Sequence, residues 1–204
     1  MALKWIDPPI TITQINSLIN GEGLRRDYIS WDEMPSSIKL AVIASEDQLF
    51  ASHNGFDRKS IEKALEYNQK TKGKKNRGAS TISQQTAKNV FLWQGRSWFR
   101  KGLEVYFTFM IEKIWGKKRI LEVYLNVAEM GEGVYGIEAA AQYHFKKPAA
   151  KLTRNEAARI AVALPNPKKY KVNPPSQYVS NRTDWVLRQM RNLDSDPLVV
   201  ELLK

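Results

Sequence analysis

Apolar residues recur at helical spacing along most of the chain beyond Pro35. In "SSIKLAVIASE" Ile38, Val42 and Ile43 share one face, which predicts a helix ending at Glu46 and Asp47. Asp57 reads as the cap of a second helix carrying Ile61, Ala64 and Leu65, and "KTKGKKNRG" follows as a basic, glycine-broken loop. Thr81 with Gln84, and Thr153 with Glu156, have capping-box spacing, in which the hydroxyl takes the amide three residues on and the longer side chain bonds back. They predict helix starts in "GASTISQQTAKNVF" and in "TRNEAARIAVAL", the second ended by Pro165 and Pro167. Further helices are predicted over about 97–115, in "KKRILEVYLNVA" beyond Gly116, and in "NRTDWVLRQMRNL".

The first 35 residues lack this period. Pro8-Pro9 stops any helix, "ITITQI" alternates like a short strand, and "NGEGLRRD" reads as a loop. With one strand candidate and no βαβ alternation, the fold class is mainly α. The expected division is an N-terminal extension over 1–35 and a domain over 36–204.

Composition narrows the chemistry. A chain of 204 residues suits one domain, or two lobes sharing a core, and needs no staples. It has no cysteine, which excludes disulfides, thiolate metal sites and cysteine nucleophiles, and two histidines, which argue against a histidine-rich metal centre. The net charge of +11 favours an anionic partner: acidic lipid, a phosphorylated substrate or nucleic acid. No apolar run reaches the roughly 18 residues of a membrane span, and "MALKWIDPPI" holds no signal-peptide core, so the chain as it stands is expected to be soluble.

Two acids stand in apolar surroundings. Glu104 lies in "GLEVYFTFMIEKIW", where Leu103, Val105, Tyr106, Phe107, Phe109, Met110 and Ile111 leave little polar face. Such a carboxylate either pairs with a cation, and Arg100 precedes it by four residues, or lines a cleft and has a task. Glu46 ends its own apolar helix, so two acids from different helices could face one cleft, the pairing that sugar transfer uses; equally, Glu46 could mark a helix running into solvent. Between them, "GASTISQQTAKNVFLWQGRSWFRKGLE" presents Ser80, Gln84, Gln85 and Asn89 as hydrogen-bonding groups and Lys88, Arg96, Arg100 and Lys101 as cations, with Phe91, Trp93, Trp98 and Phe99 interleaved. Cations and amide donors beside a carboxylate suit a pyrophosphate leaving group, whose developing charge must be neutralised in a partly dry site. A basic helix face over an aromatic core has the same pattern.

Three features carry less. "GEGVYG" fits a dinucleotide loop by spacing, with Glu156 twenty residues on, but the segment before it reads as helix, so a glycine-rich connection is the better account. The lysine loop reads as solvated rather than as a nucleic-acid platform. His53 could orient a carboxylate or phosphate, or serve as a hydrogen-bonded structural group; His144 reads as packing.

Taken in order, these segments resemble the family 51 glycosyltransferases, the peptidoglycan transglycosylases. The family's first motif appears as Glu46, Asp47, Phe50, His53, Gly55 and Asp57, its second as "GASTISQQTAKN", its third as Arg100, Lys101 and Glu104, and its fourth as "KKRILEVYLN". The fifth is looser: "NRTDWVL" offers Arg182 with Thr183 where a second arginine often stands. The resemblance spans about 38–190 and is closest to the monofunctional, Gram-negative branch.

It implies a lysozyme-like, two-lobed helical fold with a small membrane-apposed lobe, and an enzyme that polymerises lipid II onto a lipid-linked growing glycan strand and is a target of moenomycin. It also implies Glu46 as general base, Glu104 assisting release of undecaprenyl pyrophosphate, and Ser80, Gln84, Gln85, Lys88, Asn89, Arg96, Arg100 and Lys101 as substrate-binding groups. No tightly bound cofactor is expected; a divalent cation, Mg or Mn, would sit at Glu104. The expected location is the periplasmic face of the bacterial inner membrane beside other cell-wall synthesis proteins, with a single-pass anchor that this sequence does not contain, and no nucleic acid. The rival readings are a lysozyme-like or lytic transglycosylase that cleaves glycan, which does not need the cations beside Glu104, and a basic module binding membrane or nucleic acid, which leaves Glu104 unexplained.

Overall fold

The computed structural model describes residues 2–71, 78–95 and 97–204; the centre of the lysine loop and Arg96 lie outside the described residues. The fold is mainly α, as the patterning predicts. Its helices are α1 (Ile12–Ile19), α2 (Ser36–Glu46), α3 (Arg58–Lys70), α4 (Ile82–Phe91), α5 (Trp98–Ile114), α6 (Lys117–Val127), α7 (Ile137–Phe145), α8 (Arg154–Ala163), α9 (Gln177–Leu193) and α10 (Pro197–Leu203). Helix α2 is the core element: Ile38 to Ala44 are all buried, Lys39 included, and α8 and α9 pack against it. Helix α4 packs instead against α5 and α6, and one apolar cluster runs through both groups. Both predicted capping boxes are present, at Thr81–Gln84 for α4 and Thr153–Glu156 for α8, and Asp57 caps α3.

The N-terminal segment differs from its reading. "ITITQI" is not a strand: Thr11 and Gln14 close a third capping box and start α1, and Ile12, Ile15, Leu18 and Ile19 then follow at helical spacing. The alternation was too short to decide between periods, whereas the box supplies two local hydrogen bonds to amides that would otherwise be orphaned. Helix α1 is also inverted, with Gln14 and Ser17 buried and the four apolar residues exposed.

The expected loop "NGEGLRRD" holds strand β1 (Arg25–Arg26), which pairs in parallel with β3 (Val134–Tyr135); β2 (Glu129–Gly131) completes a small sheet in the order β1-β3-β2. The glycine-rich "GEGVYG" is thus a hairpin following a helix, outside any βαβ unit. Gly133 has a φ of +66°, and a β-carbon there would collide with the Glu22 carbonyl oxygen, so the close approach of the N-terminal chain requires glycine. Asn126 ties down the same region: its side chain accepts from the Ile29 amide at 3.1 Å and donates to the Ile29 carbonyl at 2.9 Å.

Candidate active site

The loop after α2 is held by a polar clamp. Asp47 accepts from the Ile82 amide at 3.0 Å, so it caps the start of α4 from 35 residues away, and it accepts from His53 Nε2 at 2.9 Å. The Gly55 amide donates to His53 Nδ1 at 3.1 Å, which leaves the ring proton on Nε2, facing Asp47. The Thr81 hydroxyl donates to the Gly55 carbonyl at 2.7 Å. Gly55 has a φ of +87°, and a β-carbon there would press on Thr108 and Glu112. His53 and Asp47 are therefore structural groups that join α2 to α4, and Glu46 is the acid left at the seam.

Glu46 accepts from Gln85 Nε2 of α4 at 2.9 Å, and Gln85 Oε1 in turn accepts from the Tyr124 hydroxyl of α6 at 3.2 Å. Burial pushes the Glu46 carboxyl above the ordinary glutamate range; the Gln85 hydrogen bond opposes this, Asp47 adds to it, and Arg182 and Lys88 oppose it. Such a group is a stronger proton acceptor than a solvated glutamate.

Glu104 is differently placed. It is 3% exposed, with one oxygen 2.8 Å from Arg100 Nη1 and the other hydrogen-bonded to Lys101 Nζ. Only part of the apolar wall read from its sequence neighbours is turned inward: Val105, Tyr106 and Phe109 are exposed with Trp98 and Phe99, while Arg100, Glu104, Thr108 and Ile111 form the buried stripe of α5. A stripe at this spacing faces one way whatever its polarity, so counting apolar neighbours misjudged the direction of burial. The predicted ion pair with Arg100 is formed, and it lies within the cation cluster.

Lys88 links the two acids. Burial lowers the pKa of its amine, the charges of Glu104 and Glu46 act against that and those of Arg100 and Lys101 add to it, so the half-buried Lys88 of α4 lies in the field of both carboxylates. The other predicted residues are less close-knit. Asn89 follows Lys88 half-buried and lies one turn beyond Gln85, Ser80 is exposed immediately before the α4 cap, and Arg96 lies outside the described residues. Gln84 is occupied by its capping box, accepting from the Thr81 amide at 3.0 Å.

Tyr124 and Arg182 join the surroundings of Glu46 from α6 and α9. The sequence reading met both within motifs but gave neither a task, because neither is near Glu46 in sequence.

The described residues form no all-protein cage for a divalent cation. Both Glu104 oxygens are engaged by cations, and among the described residues no three His, Asp or Glu side chains converge as ligands.

A family model described as "Transglycosylase" matches residues 12–191. The chain belongs to the transglycosylase family. Curated relatives, each named "Biosynthetic peptidoglycan transglycosylase", agree over most of this chain. One from Pseudomonas aeruginosa is 50% identical over 206 residues, covering 98% of this chain and 88% of the relative. One from Shewanella oneidensis is 53% identical over 195 residues, covering 94% and 83%. One from Escherichia coli is 59% identical over 173 residues, covering 85% and 71%. The transglycosylase match begins at the first residue of α1, so the inverted helix lies inside the family's span.

Proposed function

We propose that this transglycosylase is a peptidoglycan glycosyltransferase that polymerises lipid II into β-1,4-linked glycan. The observation that carries the reading is the asymmetry of the two glutamates: Glu46, raised in pKa by burial, accepts one hydrogen bond from Gln85, while Glu104 is clasped by Arg100 and Lys101. In the proposed reaction Glu46 takes the proton of the acceptor's 4-hydroxyl as that oxygen attacks the donor's anomeric carbon. The bond from that carbon to the pyrophosphate oxygen breaks on the opposite face, so configuration inverts and undecaprenyl pyrophosphate leaves. Lys88, Arg100 and Lys101 offset the charge that develops on it, and Glu104 holds the latter two in place. Pyrophosphate is a good leaving group, so stabilising its charge outweighs protonating it.

The surface supports apposition to the periplasmic face of an anionic membrane. Helices α1 and α5 expose apolar faces outward, with Ile19 76%, Trp98 93% and Phe99 72% accessible. Gln94 bonds to Thr13 at 3.2 Å, which brings the segment between α4 and α5 against α1. Exposed aromatics on a basic protein fit a lipid interface. No helix among the described residues is long and apolar enough to cross a membrane.

Glu46→Gln tests the assignment. A positioned general base contributes about 10²–10⁴ in rate, so the variant is expected to lose polymerisation of purified lipid II by that factor while keeping its helical circular dichroism. Near wild-type turnover would remove Glu46 from the role.

A further inference from the structure

The amide of Gln85 stands between two groups that make opposite demands on it. Its Nε2 donates to Glu46 at 2.9 Å, and its Oε1 accepts from Tyr124 at 3.2 Å. A side-chain amide can turn over, exchanging donor for acceptor, and only its partners decide which way it stands. Turned over, it would present oxygen to Glu46 and favour the carboxylic acid, which cannot act as a base.

Tyr124 opposes that turn. It is fully buried on α6, and burial together with the charges of Glu46 and Asp47 raises its phenol well above the ordinary range, so it keeps its proton and donates it. The phenol oxygen could also accept from a turned amide, but its own buried proton would then lose Oε1 as acceptor, so the pairing favours Oε1 toward Tyr124 and leaves the NH₂ end for Glu46.

We propose that Tyr124 is a positioning residue: by holding the Gln85 amide in one orientation it keeps Glu46 in the carboxylate form that accepts the proton of the acceptor hydroxyl. The inference rests on Glu46 as general base. The other groups facing Glu46 are Asp47 beside it, which favours the protonated acid, and Lys88 of α4 and Arg182 of α9, which favour the carboxylate. Loss of the Tyr124 hydroxyl leaves their charges in place.

The test is the pH profile of kcat/KM on lipid II for wild type, Tyr124→Phe, Gln85→Met and the double variant, with Glu46→Gln alongside. Weakening a hydrogen bond to a charged group by part of its worth is expected to move the acid limb of Tyr124→Phe up by about 0.5–1 pH unit, a threefold to tenfold loss on the acid side. The double variant is expected to share the midpoint of Gln85→Met alone, because Tyr124 acts only through the amide. An unmoved limb in folded Tyr124→Phe overturns the proposal, as does a further shift in the double variant.

Should Tyr124→Phe fail to fold with an orphaned amide oxygen, the comparison of the double variant with Gln85→Met decides, since it leaves no unpaired partner. Polymerisation that survives Glu46→Gln with its acid limb intact sinks the base assignment itself. Loss of turnover in Glu46→Gln beside an unmoved limb in Tyr124→Phe sinks only the role of Tyr124.

Discussion

In the proposed reaction the protonation of Lys88 and that of Glu46 set opposite limits on pH. Glu46 must be ionised to accept a proton, and burial raises its pKa, so activity is expected to fall on the acid side at a pH above the ordinary glutamate value. In the proposed role Lys88 acts as a cation, and burial lowers its pKa, so the alkaline limb is expected below the ordinary lysine value. Lys88→Arg should abolish the alkaline limb, since a guanidinium does not titrate there; an identical limb in that variant would assign it elsewhere. Lys88→Ala is expected to cost about 10²–10³ in kcat, as for loss of one preorganised group facing developing charge, and to weaken inorganic pyrophosphate as an inhibitor. Unchanged inhibition would place Lys88 outside the leaving-group site. Of this constellation the acids and cations were legible, because their motifs are local in sequence. The Gln85–Tyr124 contact was not, since it joins residues 39 apart on different helices.

Among the elements, those started by local chemistry were readable and those held by distant partners were not. The capping boxes of α4 and α8 stood in the sequence because donor and acceptor are three residues apart. The same pattern at Thr11 and Gln14 was masked by a brief alternation of isoleucine and threonine. The small sheet was invisible for another reason: strands of two or three residues have no measurable period, and β1 finds β3 across more than a hundred residues.

Thr81 combines both kinds of bond, since its hydroxyl accepts from the Gln84 amide at 3.2 Å and donates to the Gly55 carbonyl at 2.7 Å. Thr81→Ala is therefore expected to lose about 1–2 kcal/mol, the cost of an N-cap together with an unpaired buried carbonyl. Urea denaturation followed by circular dichroism reads this as a lower midpoint at unchanged slope. A midpoint equal to wild type would show that the clamp adds nothing to stability.

At the scale of the whole molecule, burial runs against polarity on two helices. α1 buries Gln14 and Ser17, and α5 buries Arg100, Glu104 and Thr108, while both leave large apolar side chains outside. The inward stripe of α5 carries the cation-held glutamate and the outward one exposes apolar side chains, so in the proposed function one helix would face both the leaving pyrophosphate and the lipid surface. A double substitution Trp98→Ala and Phe99→Ala is expected to weaken binding to anionic phosphatidylglycerol vesicles in co-sedimentation by about 30-fold or more, each inserted aromatic contributing about 1–3 kcal/mol, and to leave thermal stability within a few degrees. Equal sedimentation of both proteins would move the lipid contact to another face.

In the proposed function Glu46 as base, together with the cations around Glu104, makes glycosidic bonds rather than breaking them. Incubating the protein with purified lipid II and, separately, with intact peptidoglycan tests this directly. The account predicts polymeric glycan from the first and no soluble fragments from the second. Fragments released from peptidoglycan, with lipid II left unpolymerised, would contradict it.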